Sequence, residues 1–145
     1  MKILICADHS AAGEHVLQEA QKFLTPFKEV DLYVYSVIDM AIVSVAGMYN
    51  NSEMIGLLEK EAEQVKEWAK KIFAGRDIRF SSEVGYPATM VMQKVKDEKI
   101  DLLIMGTHGK TGLNRILIGS VAENVLRHTS CNTLIIPVKN LKNDG

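Results

Sequence analysis

A glycine-rich segment in the last third of the chain carries its strongest chemical signal. Glycine occurs at Gly106 and Gly109, and the segment ends with Gly119 and Ser120, where an apolar pattern of helical period begins. The apolar run before it, residues 101–105, is typical of a buried parallel strand. Glycine lets the backbone approach an anion closely, and the first N–H groups of a helix have no partner inside the helix. Strand, glycine-rich loop and helix N-terminus together predict a phosphate site.

The predicted phosphate contacts come mostly from backbone groups. The Ser120 hydroxyl and the N–H groups of Ser120 and Val121 are expected to meet one phosphate group, and the backbone from Gly106 to Thr111 to surround the others. Lys110 and Arg115 either add positive charge or are solvated loop residues. The spacing matches neither the Walker A pattern G-x-x-x-x-G-K-[ST] nor the dinucleotide pattern G-x-G-x-x-G.

Two further positions lie at the ends of the first and second apolar runs, where an open parallel sheet binds its ligands. If the first and fourth strands are neighbours, Asp8 faces Gly106 across the crevice. Asp8 can then hold a ribose hydroxyl or a water on a phosphate-bound Mg²⁺, or it only caps backbone N–H groups of its own turn. The backbone of Val37 can pair with the edge of a flat base, or Val37 is an ordinary core residue.

The histidines and the first serine do not form a recognisable catalytic group. His9, His15, His108 and His128 lack a metal-ligand spacing such as H-E-x-x-H. His9 and His108 fall in loops at the carboxyl ends of strands, whereas His15 and His128 are expected on helix surfaces. Ser10 is not in the G-x-S-x-G context of a hydrolase nucleophile. We therefore predict no catalytic residue.

The elements that must position these residues alternate between strand and helix. Apolar runs, alternation in the third strand and helical spacing predict five strands and four helices. The strands are expected at 2–7, 29–38, 76–84, 102–105 and 133–138, and the helices at 12–24, 52–73, 88–96 and 120–127. Ser10 is the expected N-cap of the first helix, and Pro87 suits the first turn of the third. Residues 39–51 show no clear period and are expected to form a loop that acts as a lid or binding segment. The pattern predicts an α/β protein with an open parallel sheet covered on both faces.

Composition limits the class of protein. The length of 145 residues fits one domain over residues 1–145. A formal net charge of -1 provides no bulk positive field for nucleic acid or an anionic membrane. Cys6 and Cys131 lack a C-x-x-C spacing, and two buried free thiols are expected in a reducing cytoplasm. We expect neither a signal peptide nor a membrane span, because no apolar stretch approaches the length that a span needs.

Taken together, these motifs resemble those of the universal stress protein family, and within it the branch that binds ATP. The resemblance covers essentially the whole chain. The motifs that carry it are ILICADHS at 3–10, YSVID at 35–39, VGYP at 84–87, DLLIMGTHG at 101–109 and GSVAENV at 119–125.

The resemblance implies a Rossmann-like nucleotide-binding fold with strand order 3-2-1-4-5, and a homodimer paired partly through strand five. It implies ATP with Mg²⁺ on its phosphates, adenine at the backbone of Val37 and ribose near Asp8 and Gly106. Cys6 and Met105 would line the base or ribose, and the phosphates would lie at Gly109, Gly119, Ser120 and Val121. The full set of predicted binding residues is Cys6, Asp8, Val37, Met105, Gly106, Thr107, His108, Gly109, Lys110, Thr111, Gly119, Ser120 and Val121.

The predicted function is that of a cytoplasmic stress-response regulator whose contacts with itself or an unknown protein partner change with nucleotide. The alternative is a slow ATPase or an autophosphorylating protein, with Ser120, Thr111 or Thr107 as phosphoacceptor. A response-regulator receiver is disfavoured, because Asp8 has no acidic neighbour and residues 84–86 contain no aspartate.

Overall fold

The computed structural model describes residues 1–107 and 118–138. Within them a five-stranded sheet has the order β3-β2-β1-β4-β5, and every strand pair is parallel. The predicted fold class and strand order are therefore confirmed. The strands are β1 (Lys2–Cys6), β2 (Asp31–Asp39), β3 (Ile78–Gly85), β4 (Leu102–Gly106) and β5 (Asn132–Ile136). The helices are α1 (Ala11–Leu24), α2 (Met40–Met48), α3 (Ser52–Ile72), α4 (Pro87–Asp97) and α5 (Ser120–His128).

Strand β1 lies in the centre of the sheet and is covered on both faces. Ile5 is in register with Val34 of β2 and Ile104 of β4, which confirms that the first and fourth strands are neighbours. Ile3 and Ile5 pack with α1 and α3 on one face, whereas Leu4 packs with α4 and α5 on the other. A strand buried on both faces must be continuously apolar, and this explains why β1 shows no polar alternation.

Most of the helices begin at a residue whose type favours a helix N-terminus. The Ser10 hydroxyl accepts a hydrogen bond from the N–H of Gly13 at 3.0 Å, which confirms Ser10 as the N-cap of α1. Pro87 is the first residue of α4, as expected for a residue without an N–H donor.

None of the helices in the two described segments combines the length and apolarity needed to cross a bilayer.

The prediction of a loop at residues 39–51 is wrong. Residues 40–48 form helix α2, so the described residues contain five helices rather than four. Helix α2 is almost entirely apolar, and an all-apolar helix has no polar face from which a helical period can be recognised. The Asp39 carboxylate caps it by accepting from the N–H of Ala41 at 2.9 Å, and Asn51 caps α3 by accepting from Met54 at 3.0 Å.

A close backbone approach between the β1–α1 turn and helix α1 leads to the first prediction. A Cβ on Gly13 would overlap the carbonyl oxygen of Asp8, whereas a Cβ on Gly56 in α3 meets nothing within 4 Å. Gly13→Ala should therefore lower the free energy of unfolding by about 1–3 kcal/mol. Gly56→Ala should raise it by about 0.5–1 kcal/mol, since alanine is the better helix former.

Urea denaturation of the two variants and the unmodified protein makes the comparison. Equal changes in the free energy of unfolding of Gly13→Ala and Gly56→Ala would show that the approach of Asp8 to Gly13 does not constrain the fold.

Candidate functional site

A cleft of about 440 Å³ lies at the carboxyl ends of β1, β2 and β4, a size typical of small-molecule sites. The structure brings together in it all of the predicted binding residues that it describes. These are Cys6, Asp8, Val37, Met105, Gly106, Thr107, Gly119, Ser120 and Val121. The other predicted residues, His108, Gly109, Lys110 and Thr111, lie outside the described residues.

Asp8 lines the cleft and is also tied to helix α1. The Ser10 hydroxyl donates to Oδ1 of Asp8 and accepts from the N–H of Gly13. One hydroxyl thus joins the carboxylate to the first turn of α1, and the same turn places Asp8 at the ligand edge of the sheet. The two sequence interpretations of Asp8, turn residue and ligand contact, are compatible in this geometry.

The end of β4 and the start of α5 are held together by Thr107. Its carbonyl oxygen accepts from the N–H of Gly119 at 2.6 Å, and its Oγ1 accepts from the N–H of Val138 at 3.0 Å. Gly119 is the N-cap of α5 and provides no side-chain oxygen to the first turn. In the described part of the chain, the N-cap therefore leaves the first N–H groups of α5, beginning at Ser120, without a side-chain acceptor. This arrangement favours an anion.

The end of β2 supplies the opposite wall. Val37, Ile38 and Asp39 line the cleft, and Tyr35 lies beside them. The Tyr35 hydroxyl donates to Oε2 of Glu83 at 2.5 Å, and burial is the main cause that raises the pKa of Tyr35, with Glu83 adding to it. The phenol is therefore neutral at physiological pH and acts as a fixed donor to Glu83.

Both cysteines are free thiols, and both are partly exposed rather than fully buried as expected from the sequence. Cys6 lines the cleft, and desolvation raises the pKa of its thiol to about 12. At neutral pH Cys6 therefore presents a neutral thiol, which suits contact with a flat apolar ring better than nucleophilic chemistry. Burial also raises the pKa of Cys131, which is away from the cleft lining.

Helix α3 contributes cleft residues that the sequence did not indicate, and α2 contributes one from residues 39–51, the segment expected to act as a lid or binding segment. Leu58 and Glu61 of α3 lie on the same face at a spacing of three residues, and Ile42 of α2 joins them. His9 stacks on Trp68 with ring centroids 5.0 Å apart, and its Nδ1 is 3.8 Å from Oε1 of Glu61. The amphipathic pattern of α3 indicates its buried side, but only tertiary packing decides which part of that side reaches the cleft.

The described residues contain no group of three or more histidine, cysteine or acidic side chains that could hold a metal ion. His15 is partly exposed on α1, and His128 is exposed at the end of α5, as predicted. His9 is engaged with Trp68 and Glu61, and its predicted neighbour His108 lies outside the described residues.

Known proteins share both the sequence and the fold. Universal stress protein MJ0531 of Methanocaldococcus jannaschii is 33% identical over 140 residues, which cover 93% of this chain and 81% of that protein. Universal stress protein MJ0577 of the same organism is 31% identical over 156 residues, covering 96% of each chain. The solved structure of MJ0577 superimposes with a TM-score of 0.80 over 96% of both chains.

More distant solved structures share the fold and contain adenine nucleotides. A universal stress protein in complex with cAMP has a TM-score of 0.65 and 20% identity, and the match covers 94% of this chain and 96% of that one. A universal stress protein from Archaeoglobus fulgidus with dAMP has a TM-score of 0.65 and 19% identity, with coverages of 94% and 97%. One from Arabidopsis thaliana with AMP has a TM-score of 0.64 and 17% identity, with coverages of 100% and 96%. The model of the universal stress protein family matches residues 1–137. The chain therefore belongs to the universal stress protein family.

Proposed function

We propose that this protein binds ATP in the cleft and acts as a nucleotide-dependent regulatory module. The observation that carries the proposal is the order of groups along the sheet edge. Val37 lies two residues before the end of β2, Asp8 follows β1, Gly106 ends β4, and the N-terminus of α5 comes next. The ends of β2 and β4 are two strand spacings apart, about 10 Å. The order and span match base, ribose and phosphates.

Each part of the nucleotide has a chemically suitable partner in this proposal. The backbone at Val37 reads the adenine edge, and the neutral thiol of Cys6 and the side chain of Met105 pack on the base or ribose. The Asp8 carboxylate accepts from a ribose hydroxyl. The phosphates meet the first N–H groups of α5 and the Ser120 hydroxyl. The predicted contacts at residues 108–111 belong to the same proposal.

Solved structures of the same fold support an adenine nucleotide. Three proteins that are 17–20% identical to this chain have been solved with AMP, dAMP or cAMP. Mg²⁺ would be held mainly by the phosphates, because Asp8 is the only carboxylate among the cleft residues assigned to the ribose and phosphates. A water between Asp8 and the ion is the expected contact.

We propose binding rather than turnover as the main activity. Backbone N–H groups and Ser120 bind the ground state and the transition state alike, and uniform binding does not accelerate chemistry. Phosphoryl transfer also needs a positioned nucleophile and charge stabilisation that develops in the transition state. For the alternative of autophosphorylation, Ser120 is the better acceptor of the described residues. Ser120 is exposed, whereas Thr107 is 6% exposed and its Oγ1 already accepts from Val138.

We further propose that residues 1–145 form one nucleotide-binding domain that works in the cytoplasm, where both cysteines stay reduced. The regulatory output would be a change in contacts with a second copy or with another protein when ATP occupies the cleft.

The proposal predicts that Gly119→Val weakens ATP binding by about tenfold or more. A valine side chain at the N-cap of α5 would occupy the space through which a phosphate approaches the first N–H groups. Isothermal titration with MgATP measures the affinity of both proteins. The thermal midpoint without nucleotide shows whether the variant is folded. An unchanged affinity in a folded Gly119→Val variant would contradict the proposed phosphate site.

We also propose a homodimer that pairs through β5, which forms one edge of the described sheet. The carbonyl of Ile136 points inward, since it accepts from the N–H of Thr107. The N–H and carbonyl groups of successive residues alternate in direction along a strand, so those of Thr133 and Ile135 point away from β4. A second copy of the same edge, related by a two-fold axis, is the simplest closed partner.

Thr133→Pro tests this interface. Proline removes the outward N–H and leaves the bonds to β4 in place, so the variant should be monomeric. Thr133→Val keeps the N–H and should remain a dimer. Sedimentation equilibrium at micromolar concentration gives the mass, and a monomeric unmodified protein would refute the dimer.

A further inference from the structure

The hairpin of helices α2 and α3 exposes an unusual amount of apolar surface. Half of the exposed large hydrophobic side chains in the described residues lie between residues 42 and 57. Met48 is 83% exposed and Tyr49 is 81% exposed. We call this region the α2–α3 surface and define it by Ile42, Val45, Met48, Tyr49, Met54 and Leu57.

The geometry of α2 places these side chains together. Ile42, Val45 and Tyr49 recur at helical spacing on one side of the chain, and Met48 lies next to Tyr49. Ala46, four residues after Ile42, is buried at the edge of this side, so the exposed surface of α2 is centred on Val45 and Met48. Concentrated apolar exposure of this kind marks interaction sites on folded proteins, whereas isolated exposed hydrophobic residues do not.

The features already described do not account for this surface. Of its six members only Ile42 lines the cleft. Helix α2 packs on β2 and α3, and β2 is separated from β5 by β1 and β4. The α2–α3 surface is therefore distinct from the edge proposed for the dimer.

Charge identifies the kind of partner that fits. Residues 39–65, from the N-cap of α2 into α3, contain five acidic side chains and one basic one: Asp39, Glu53, Glu59, Glu61 and Glu63 against Lys60. Glu53 and Glu59 are exposed on α3, and Glu53 lies one turn before Leu57 on the same face of the helix. An acidic border disfavours an anionic lipid surface and attracts a positively charged partner.

We propose that the α2–α3 surface binds a basic amphipathic helix of another protein. The apolar face of such a helix packs on the exposed methionines, tyrosine and aliphatic side chains, and its basic flanks meet Glu53 and Glu59. Methionine is flexible and polarizable and adapts to partners of varied shape. Apolar side chains at helical spacing on the partner provide the anchors for this mode of recognition. The inference does not depend on nucleotide binding.

A designed peptide tests the proposal with the full chain. The probe is a fluorescein-labelled Leu/Lys peptide of about 18 residues, with leucines on one helical face. Fluorescence anisotropy should show saturable binding that weakens as salt is raised. A peptide with the same leucines and glutamate in place of lysine should bind about tenfold more weakly or not at all.

Matched variants localise the contact. Met48→Ser/Tyr49→Ser should weaken binding of the lysine peptide about tenfold or more. Phe23→Ser/Phe27→Ser removes two exposed aromatic rings near the end of α1 and should leave the affinity unchanged. Glu53→Lys/Glu59→Lys alters only exposed carboxylates and should reverse the preference between the two peptides.

Other outcomes would overturn the proposal. They are equal binding of the lysine and glutamate peptides, equal affinity in Met48→Ser/Tyr49→Ser, and binding to phosphatidylcholine/phosphatidylglycerol vesicles without binding to the peptide. A loss of self-association in Met48→Ser/Tyr49→Ser, with no peptide binding by the unmodified protein, would assign the surface to a second copy instead. If that variant does not fold, the charge-reversed variant alone decides the outcome.

Discussion

The burial of strand β1 between two layers of helices is the constraint on which the rest of the structure depends. Ile3, Leu4 and Ile5 are fully buried because helices cover both faces of the sheet. A central parallel strand must be followed by a crossover, so the chain leaves β1, β2 and β4 at the same edge. The cleft is the space between the carboxyl ends of these three strands and the helices that follow them.

Short-range bonds convert this edge into a defined site. Ser10 links Asp8 to α1, and Thr107 links the end of β4 both to Gly119 and to Val138. The bond from Thr107 to Val138 also joins the cleft to the chain after β5, the proposed dimer edge. A ligand that shifts Thr107 would therefore also shift the chain at that edge. A regulatory module needs coupling of this kind between its ligand site and its interface.

Much of the fold was predictable from the sequence, for reasons that differ between elements. Most of the strands are short apolar runs, and β3 alternates between apolar and polar residues. Ser10 and Pro87 are strong local signals, and the resemblance supplied the strand order. Helix α2 was missed because it has no polar face, and Leu58 and Glu61 were missed because their approach to the cleft depends on how α3 packs. The described binding residues were predictable because they end strands or begin a helix, where topology alone brings them together.

The central claim is that the cleft binds an adenine nucleotide through backbone groups at the end of β2. Native mass spectrometry of the protein with equimolar MgATP and MgGTP tests it most directly. Guanine presents the reversed donor and acceptor pattern to the backbone at Val37, and unpaired buried polar groups cost about 1–3 kcal/mol. The account predicts that the ATP adduct dominates on each chain. Equal ATP and GTP adducts, or no nucleotide adduct at all, would contradict it.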